Sequence, residues 1–429
     1  MWGLSAAAPA NLPAPAIDKT AGSFDRAVPV EVTLERALAL QQRYGITRIA
    51  ETTFLDRIGI PSTNVFVPNS RDLIGVYAGK GVTRDLAVVS GLMEALERQI
   101  CAAGEIERFL TPVKRIRQCM DVENLGWIGS DDEVECVWGT ELLTGAQIAV
   151  PLALVQCPRS GPRHFAHTST NGLASGNNPV EALYHALFEL CERHLWSEVH
   201  VLAHMWPRSL RARTADLSDR PDDPIASEVV VLPDAPIIGE LVTKIANAGL
   251  GFRLLCYALR NWPIAMQACI IDSEGDELFY HLGMGCSWSP LHAAIRAITE
   301  AAQVRLGDIS GSREDLKRAG NGAVGFEHGR RPGNFPAGRW YFDGPVAQRV
   351  ALDELPDRSN IDMTQELRML LDVLKDFGER CVAYVDLSPN DAPISVARVI
   401  APSLNRTLVD GSLSRRLAAL IANPLAPIR

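Results

Sequence analysis

The chain has 429 residues, with 47% hydrophobic residues, 22% charged residues and a formal net charge of −9 at pH 7. This composition is typical of a globular, enzyme-sized protein, and its acidic balance argues against tight non-specific binding to nucleic acid. No apolar run approaches the ~18 residues of a membrane-spanning helix, so neither a nucleic acid nor a membrane is expected as a partner.

The N-terminus is rich in Ala and Pro and lacks the cationic start of a secretory signal, which predicts a flexible tail over residues 1–30. The nine cysteines are odd in number, scattered, and without a CxxC pair. That pattern argues against a disulfide framework and against a zinc ribbon. We therefore expect a cytoplasmic protein in which most cysteines are small buried residues.

Hydrophobic periodicity and turn residues predict interleaved helices and extended segments. Helices are predicted over residues 32–44, from the Gly-rich loop 75–82 to about residue 103, from the Gly-rich loop 171–178 to about residue 200, over 237–248, from the Gly loop 283–286 through 290–306, and over 365–377. Extended segments are predicted at 58–67, within the strands and loops of 105–162, and at 252–257, 264–272, 382–387 and 394–400. A surface loop is predicted over 208–224 and a linker or flap over 311–344. The interleaving argues for an α/β or α+β fold.

Two helical segments carry the same charged pattern. Glu94-Ala-Leu-Glu97-Arg98 recurs as Glu189-Leu-Cys-Glu192-Arg193. At about 100° per residue, Ser90, Glu94 and Glu97 lie immediately beside the apolar face of their helix, away from the position of a solvated stripe.

The two later helices have similar faces. Asn178 and Pro179 suit the start of the second helix, on which Glu181, His185, Glu189 and Glu192 share a face; Arg296, Glu300 and Gln303 share one on the third. Carboxylates gathered on half-buried faces repel one another unless cations intervene, and Mg²⁺ is a hard cation that prefers oxygen ligands. The Arg residues of these helices (Arg98, Arg193 and Arg296) suit phosphate groups. The pattern therefore indicates a metal–nucleotide site.

Simpler interpretations apply to single features. One ExxER pattern is common on solvated helices, and it is the second copy beside an apolar face that favours a site. A structural role is expected for His185, and a buried structural thiol for Cys286. Gly79-Lys80-Gly81 lacks the remainder of a Walker A loop, and Gly283-Met-Gly285 lacks the third glycine of a Rossmann fingerprint. No catalytic residue is identified.

Three ordered motifs resemble those of the YcaO-domain family over about residues 45–410. The first runs from Gly79 to Arg98, the second from Asn171 to Arg193, and the third is Arg296-x3-Glu300-x2-Gln303-x-Arg305. Leu55-Asp-Arg-Ile-Gly-Ile-Pro61 is similar to the family's early signature. The resemblance implies a single large α/β domain over residues 31–410 that binds ATP and Mg²⁺ without a P-loop, followed by a C-terminal tail over 411–429.

The resemblance also implies the site residues. The nucleotide and metal contacts would be Ser90, Glu94, Glu97, Arg98, Asn177, Glu181, Glu189, Glu192, Arg193, Arg296 and Glu300. The Mg²⁺ ligands among them would be Glu94, Glu189, Glu192 and Glu300. In some members an N-terminal Lys and Ser also contact the nucleotide; Lys19 and Ser23 occupy comparable positions, in a tail too variable to carry that role over.

The implied activity is ATP-dependent activation of a peptide backbone amide. Attack by an external sulfide, delivered by a TfuA-like partner, would give a thioamide in a ribosomally made peptide or protein. Attack by a neighbouring Cys, Ser or Thr side chain would give an azoline. An accessory role in ribosomal-protein methylthiolation, and a nucleotide-binding scaffold without turnover, are further alternatives. The chain ends with only Pro424 and Pro427 where many azoline-forming members have a PxPxP-like tail, and it has no room for a fused leader-binding domain, which favours a stand-alone, thioamide-forming enzyme. The oligomeric state stays open, a homodimer included.

Overall fold

The structure, a computed structural model, describes residues 17–20, 24–129, 133–159, 161–166, 168–200, 227–257, 261–274, 277–311, 346, 348–406 and 418. The chain divides into two compact units, each discontinuous in sequence. Unit 1 comprises Met1–Tyr44, Met93–His194 and Asn360–Arg416, and unit 2 comprises Gly45–Leu92, Leu195–Ser359 and Leu417–Arg429. The predicted loop 208–224 and residues 312–344 of the predicted flap lie outside the described residues.

Helices and strands alternate along the described chain, which confirms the mixed α/β expectation. The helices are α1 (Val30–Ala39), α2 (Arg84–Ala103), α3 (Val113–Cys119), α4 (Leu152–Val155), α5 (Pro179–His200), α6 (Ile238–Asn247), α7 (Pro290–Ser310) and α8 (Met363–Asp376). The strands are β1 (Arg48–Glu51), β2 (Ser62–Phe66), β3 (Val76–Lys80), β4 (Phe109–Pro112), β5 (Glu133–Glu141), β6 (Gln147–Pro151), β7 (Leu173–Gly176), β8 (Ser227–Val230), β9 (Gly251–Tyr257), β10 (Ile264–Glu274), β11 (Glu277–Ser287), β12 (Arg349–Ala351), β13 (Ala383–Asp386) and β14 (Ser395–Ile400).

Where the structure describes unit 1, its strands form one antiparallel sheet. Its strand order is β4-β5-β13-β14-β7, and β6 also pairs with β5. In the β14–β7 register, Arg398 lies opposite Leu173. Helices α3 and α4 pack against this sheet through a buried apolar core that includes Ile116, Val137 and Val150. Alternate residues of the strands reach that core, as the period of two in a half-buried sheet requires.

The described part of unit 2 contains two sheets. One is the antiparallel sheet β1-β2-β3, and the other has the order β11-β10-β9-β8-β12, with a single parallel pair between β12 and β8. Helix α7 packs along β10 and β11 and also contacts β3. Its buried face is largely alanine, including Ala293, Ala297 and Ala301, so the helix backbone approaches the strands closely.

The three Gly-rich segments are strands where loops were predicted. Gly79 lies in β3, Gly176 ends β7, and Gly283 lies in β11. A Cβ on Gly176 would lie 2.5 Å from the backbone nitrogen of Ala182, and one on Gly283 would lie 2.1 Å from that of Ala301. The glycines are needed because the following helix packs its backbone directly on the strand.

Two short helices interrupt the region 105–162, which was predicted to contain only strands and loops. Helix α3 follows β4 directly, and α4 follows β6 at Pro151. Proline has no N–H for the sheet ladder and suits the start of a helix, so β6 ends and α4 begins at this residue. Among the described residues, no helix is long and apolar enough to cross a membrane.

Candidate functional site

The acidic residues of α2 lie beside its buried face. Leu92, Ala95 and Leu96 are fully buried, whereas Glu94 and Glu97 keep part of their surface exposed. The unit boundary falls inside this helix, so Glu94, Glu97 and Arg98 belong to unit 1 and Ser90 belongs to unit 2. The helical position predicted for the two carboxylates, at the margin of the apolar face, is therefore confirmed.

The raised pKa of Glu97 indicates that carboxylates of α2 and α5 interact within unit 1. Burial raises the pKa of Glu97 well above its ordinary value, and the charges of Glu189 and Glu94 raise it further. Arg98 and a hydrogen bond from Ser175 oppose this shift. Like charges held in a poorly solvated site favour protonation or the arrival of a cation. The cluster of Glu94, Glu97 and Glu189, called the acidic cluster below, therefore has the electrostatics of a cation site.

Glu192 of α5 is more deeply buried than Glu189 on the same helix. Glu192 is 2% exposed, and its Oε1 lies 3.5 Å from Nη2 of Arg193. Helix α5 begins as predicted: the Oδ1 atom of Asn178 accepts a hydrogen bond of 2.9 Å from the backbone N–H of Glu181. This cap fixes the start of the helix and with it the position of each side chain along its faces.

Glu181 and Asn177 form an internal network with the N-terminal segment. Glu181 is 0% exposed and accepts hydrogen bonds from Asn177 Nδ2, from Arg26 Nη1 and from the backbone N–H of Ala27, all between 3.1 and 3.2 Å. Arg36 also donates to the backbone oxygen of Asn177 at 3.2 Å. These contacts anchor residues 24–29 on α5, and the nucleotide contacts of Glu181 and Asn177 stay a prediction.

Lys19, the candidate named from the N-terminal tail, contacts acidic side chains of unit 1. Its Nζ lies 2.6 Å from Asp25 Oδ1 and 2.7 Å from Glu366 Oε1. Tyr184 donates a hydrogen bond of 2.5 Å to the other oxygen of Glu366. Ser23 lies outside the described residues. The described part of the predicted tail is thus held by specific polar contacts.

Helix α7 carries the third motif in unit 2. Arg296 and Glu300 are partly exposed, and Glu300 forms an ion pair with Lys80 at the end of β3. Gln303 donates a hydrogen bond from its amide to the backbone oxygen of Ala78 in the same strand. The sequence predicts no role for Lys80, because the segment around it lacks a complete Walker A loop. Its contact with the carboxylate of Glu300 was therefore not predicted.

Arg305 of the third motif has a structural partner in the early signature. Its guanidinium lies 3.1 Å from Asp56 Oδ2 and 2.6 Å from Asp272 Oδ2, and all three residues are in unit 2. Arg305 is 4% exposed and Asp56 is 8% exposed. This buried network ties the C-terminal part of α7 to the segment before β2.

The residues of unit 1 fit Mg²⁺ bound together with phosphate. Among the described residues, no three His, Cys, Asp or Glu side chains converge as a preformed metal site. Mg²⁺ needs no such cage, because it commonly uses one or two carboxylates with water and substrate phosphates. Asn171 of the second motif is 6% exposed, and neither polar atom of its side chain has a partner within the described part. A buried amide in that state favours a bound polar group.

One buried cation of this region was missed in the sequence. Arg398 of β14 is 5% exposed, and it donates to the backbone oxygens of Leu154 at 2.9 Å and Ser169 at 2.7 Å. Burial lowers its pKa, and the nearby charge of Glu189 opposes that shift. No spacing rule links position 398 to α5, so only the sheet register could have revealed it.

The thiols behave as small core residues. Eight of the nine cysteines are buried, and Cys119 is exposed. Burial raises the pKa of Cys101 to about 11 and that of Cys256 to about 12. Cys286, considered as a nucleophile, is 2% exposed in β11. The expectation that most cysteines are buried is confirmed.

Comparison with known proteins places these motifs in a family. A family model described as YcaO cyclodehydratase, ATP- and Mg²⁺-binding, matches residues 78–405. An uncharacterized protein of Methanothermobacter thermautotrophicus is 34% identical over 388 residues, which is 88% of this chain and 94% of that protein. An uncharacterized protein from the tfuA 3′ region of Rhizobium leguminosarum bv. trifolii is 31% identical over 307 residues, 68% of this chain and 69% of the relative.

Solved structures share the fold. YcaO from Methanopyrus kandleri, bound with AMPPCP and Mg²⁺, superposes with a TM-score of 0.65 at 24% identity, covering 91% of this chain and 95% of the other. A heterocyclase in complex with substrate and cofactor gives a TM-score of 0.66 at 16% identity, covering 92% of this chain and 54% of the other. With a family model that spans most of its length, the chain belongs to the YcaO family.

Proposed function

We propose that this protein uses ATP to activate a backbone amide of a peptide or protein and installs a thioamide there. The observation that carries the proposal is the acidic cluster of unit 1, in which Glu94 and Glu189 raise the pKa of a half-buried Glu97. Family membership and the nucleotide-bound structural relative support ATP and Mg²⁺ as the species that this charge pattern serves.

The roles of the residues follow from their charge. Glu94, Glu189 and Glu192 of unit 1 would hold Mg²⁺, and Arg98 and Arg193 would bind phosphate oxygens. For unit 2, the family motif on α7 implies the same two roles for Glu300 and Arg296 respectively. Bound Mg²⁺ would supply positive charge that offsets the negative charge on the phosphates. Ser90, Glu97, Asn177 and Glu181 would complete the proposed nucleotide contacts.

The proposed chemistry splits a difficult exchange into two easier steps. Hydrosulfide adds to the carbonyl carbon, and the resulting oxyanion takes the terminal phosphoryl group of ATP, which leaves ADP. Phosphate then departs with the former amide oxygen, and the carbon–sulfur double bond forms as the proton of the added sulfhydryl is lost. An amide oxygen is a poor leaving group, so its conversion to phosphate is the reason for consuming ATP.

The choice of a thioamide rests on the relative from the tfuA region, which supports a TfuA-like protein as the source of sulfide. The alternative is an azoline-forming cyclodehydratase. It is favoured by the family description and by fold similarity to the Escherichia coli microcin synthetase McbBCD complex, one structure of which has pro-MccB17 bound (TM-score 0.57, 14% identity, 83% of this chain and 87% of the other). An accessory role in methylthiolation of a ribosomal protein is a third alternative.

The mass of the product separates these proposals. Candidate peptides encoded near the gene are incubated with the protein, Mg²⁺–ATP, sulfide and a TfuA-like protein, then analysed intact. Exchange of oxygen for sulfur adds about 16 Da and would support thioamidation, whereas cyclisation removes about 18 Da as water. Loss of water without any sulfide requirement would establish the azoline chemistry and refute the thioamide. Absence of ATP turnover with every candidate peptide and protein would leave the scaffold alternative.

A further inference from the structure

Two neighbouring side chains of unit 1 carry buried polar atoms without partners. Asn171, just before β7, is 6% exposed, and neither its amide nitrogen nor its amide oxygen has a hydrogen-bond partner among the described residues. Arg398 of β14 is 5% exposed, and its Nη1 atom also has no partner within that part of the chain. Buried polar groups are nearly always paired, because leaving one unpaired costs free energy. Two such groups in one place therefore point to a ligand.

Backbone contacts hold the two residues against the same short segment. The backbone oxygen of Ser169 accepts a hydrogen bond of 2.7 Å from Nη2 of Arg398, and its Oγ atom accepts one of 3.4 Å from the N–H of Asn171. After Asn171, the backbone oxygen of Gly172 accepts a hydrogen bond of 2.7 Å from the N–H of Val399. Asn171 is thus flanked on both sides by residues that bond to Arg398 or to the residue that follows it.

The orientation of Arg398 is fixed. Besides the bond from Nη2 to Ser169, its Nε atom donates to the backbone oxygen of Leu154 at 2.9 Å. Two hydrogen bonds from one planar guanidinium set both its position and its plane. The two N–H groups of Nη1 therefore point in a fixed direction before any ligand binds.

This place lies on the sheet face that meets α2. Arg398 is directly opposite Leu173 in the β14–β7 register, and Ser175 lies two residues further along β7, so the three side chains share one face. The Oγ atom of Ser175 donates a hydrogen bond of 3.2 Å to the backbone oxygen of Met93, which precedes Glu94 of the acidic cluster in α2. The unpartnered groups and the acidic cluster are therefore neighbours within unit 1.

The unpartnered atoms define the chemistry of the ligand. Nη1 of Arg398 and Nδ2 of Asn171 only donate, whereas Oδ1 of Asn171 only accepts. A carboxylate or a nucleotide phosphate at neutral pH would pair with the donors and leave Oδ1 unpaired. An extended peptide presents the N–H and the C=O of one residue on the same side, so it pairs with both kinds of group. Ser169 and Thr170 are partly exposed, so the segment before Asn171 reaches the surface, where a peptide arrives.

We propose that Asn171 and Arg398 bind the reacting backbone amide of the substrate. The side-chain amide of Asn171 pairs with the N–H and C=O of one substrate residue, and Nη1 of Arg398 donates to the same carbonyl oxygen. That oxygen becomes negative when the nucleophile adds to the carbonyl carbon, and a preorganised cationic donor stabilises it. The inference rests on the proposed function, because it gives a binding site to the amide that this function activates.

Peptide kinetics and nucleotide binding test the assignment together. The peptide is the one that the wild-type protein modifies in the mass assay, and its kcat and KM are measured for each variant. Asn171→Leu should lower kcat/KM by at least about ten-fold, because two hydrogen bonds to the peptide are lost. Arg398→Lys should lower kcat by about 100-fold, because lysine keeps the charge but not the fixed fork of donors. Calorimetry with Mg²⁺ and AMPPNP should give a Kd within about two-fold of wild type for both.

Stability separates a binding role from a structural one. Leucine is close to asparagine in size and needs no hydrogen bond, so the urea midpoint of Asn171→Leu should equal or exceed that of the wild type. Asn124 gives the matched control, a half-buried asparagine of unit 1 whose Nδ2 donates to the backbone oxygen of Pro402. Asn124→Leu should lower the urea midpoint and leave kcat/KM within about two-fold of wild type.

Asn171→Asp tests whether the two side chains face one another. A carboxylate beside the unpartnered Nη1 of Arg398 would form a charge-assisted hydrogen bond, so the variant should have a higher urea midpoint at pH 7. It should also lose peptide turnover, because the new pair occupies the place of the amide. A buried carboxylate that does not meet this cation would instead lower the midpoint.

Each outcome decides between the proposals. Unchanged peptide kinetics in a folded Asn171→Leu protein, or a lower urea midpoint in Asn171→Asp, overturns the shared amide site. A loss of AMPPNP affinity as large as the loss of kcat/KM would assign the two groups to the nucleotide and overturn it as well. Should Arg398→Lys fail to fold, the two Asn171 variants decide. If the wild-type protein modifies no peptide, the proposed function is refuted, and the inference with it.

Discussion

At the scale of single residues, Glu97 and Glu181 show what a helical pattern in the sequence can predict and what it cannot. Both occupy predicted positions in motif helices, and both are acidic. Glu97 lies among other carboxylates and has a raised pKa, whereas Glu181 accepts hydrogen bonds from Arg26 and Asn177. The spacing of residues on α5 predicts which faces the side chains occupy, but the partner of Glu181 comes from a segment about 155 residues earlier in the chain.

The metal role of the motif carboxylates gives the first prediction. Glu94→Gln and Glu192→Gln should each lower Mg²⁺-dependent ATP turnover by at least about 100-fold, because an amide is a poor ligand for a hard cation. Folding should survive, since Gln keeps the size of the side chain. Steady-state release of phosphate and circular dichroism measure the two effects.

Glu240→Gln is the control for that experiment. Glu240 lies on α6, its side chain is 72% exposed, and it pairs with Lys244. Its turnover should equal that of the wild type. Normal turnover in both motif variants, with an unchanged Mg²⁺ dependence, would remove Glu94 and Glu192 from the site.

Cysteine reactivity gives the second prediction. Of the nine thiols, Cys119 is exposed, and burial raises the pKa of Cys101 to about 11. Because the thiolate is the reactive form, native protein at pH 8 should react rapidly with a maleimide at one thiol per chain. Cys119→Ser should abolish this rapid phase.

Cys286→Ala tests the catalytic side of the same prediction. Sulfur in the proposed reaction comes from outside the chain, so the variant should retain product formation. Complete loss of product with nucleotide binding intact would instead indicate an enzyme-bound sulfur or acyl group on Cys286.

At the scale of elements, the sequence predicts the helices better than the segments that precede them. Helices α2, α5 and α7 begin close to their predicted starts, because capping residues and proline mark those positions locally. The preceding glycines suggested loops, since Gly usually marks turns. The tertiary packing of a helix on a strand requires the same residue, and no local signal separates the two causes.

That packing gives the third prediction, made on two glycines of unit 2. Gly283→Ala should destabilise the protein by about 3 kcal/mol, because its Cβ would meet the backbone of α7 at 2.1 Å from Ala301 N and 2.3 Å from Ala297 O. Gly307 lies on α7, and a Cβ added there would have no heavy atom within 4 Å apart from the adjacent residues and the helix's own backbone. Gly307→Ala should stabilise the protein by about 0.5–1 kcal/mol, since alanine has the higher helix propensity.

Urea unfolding of both glycine variants measures the difference. Equal midpoints for Gly283→Ala and wild type would show that β11 and α7 can move apart without loss of stability, contrary to their close packing. A loss of stability in Gly307→Ala would point to a crowded surface at that position.

At the scale of the whole molecule, the sequence predicts an interleaved α/β chain but not its division into units. Unit 1 draws on three separate stretches of sequence, and unit 2 on three others. Periodicity is a local property, whereas this division depends on pairings such as β7 with β14, which lie more than 200 residues apart. The same pairing places Arg398 opposite Leu173, which no local pattern in the sequence predicts.

Lys19 connects the first and third stretches of unit 1, and it carries the last prediction. Its ammonium group lies between Asp25 and Glu366, whose side chains are 5% and 0% exposed. Lys19→Met leaves both carboxylates buried without this cation and should lower the free energy of unfolding at pH 7 by about 3 kcal/mol. Urea unfolding provides the measurement, and Arg43→Met is the control, because Arg43 pairs with a largely exposed Asp391 and should change stability far less.

The loss in Lys19→Met should depend on pH in a defined direction. Burial raises the pKa of Glu366 above 4.5, and Lys19 opposes that shift, so the variant's pKa should be higher still. A folded-state pKa above the unfolded value means that stability is fully present below about pH 4.5 and falls as the pH rises through the folded-state pKa. The deficit of the variant should therefore be small near pH 4 and complete at pH 7. Lys19→Met combined with Glu366→Gln should recover part of the loss at pH 7, since the buried charge is removed. A deficit that grows toward acid pH would show that Lys19 stabilises unit 1 by some route other than its charge on Glu366.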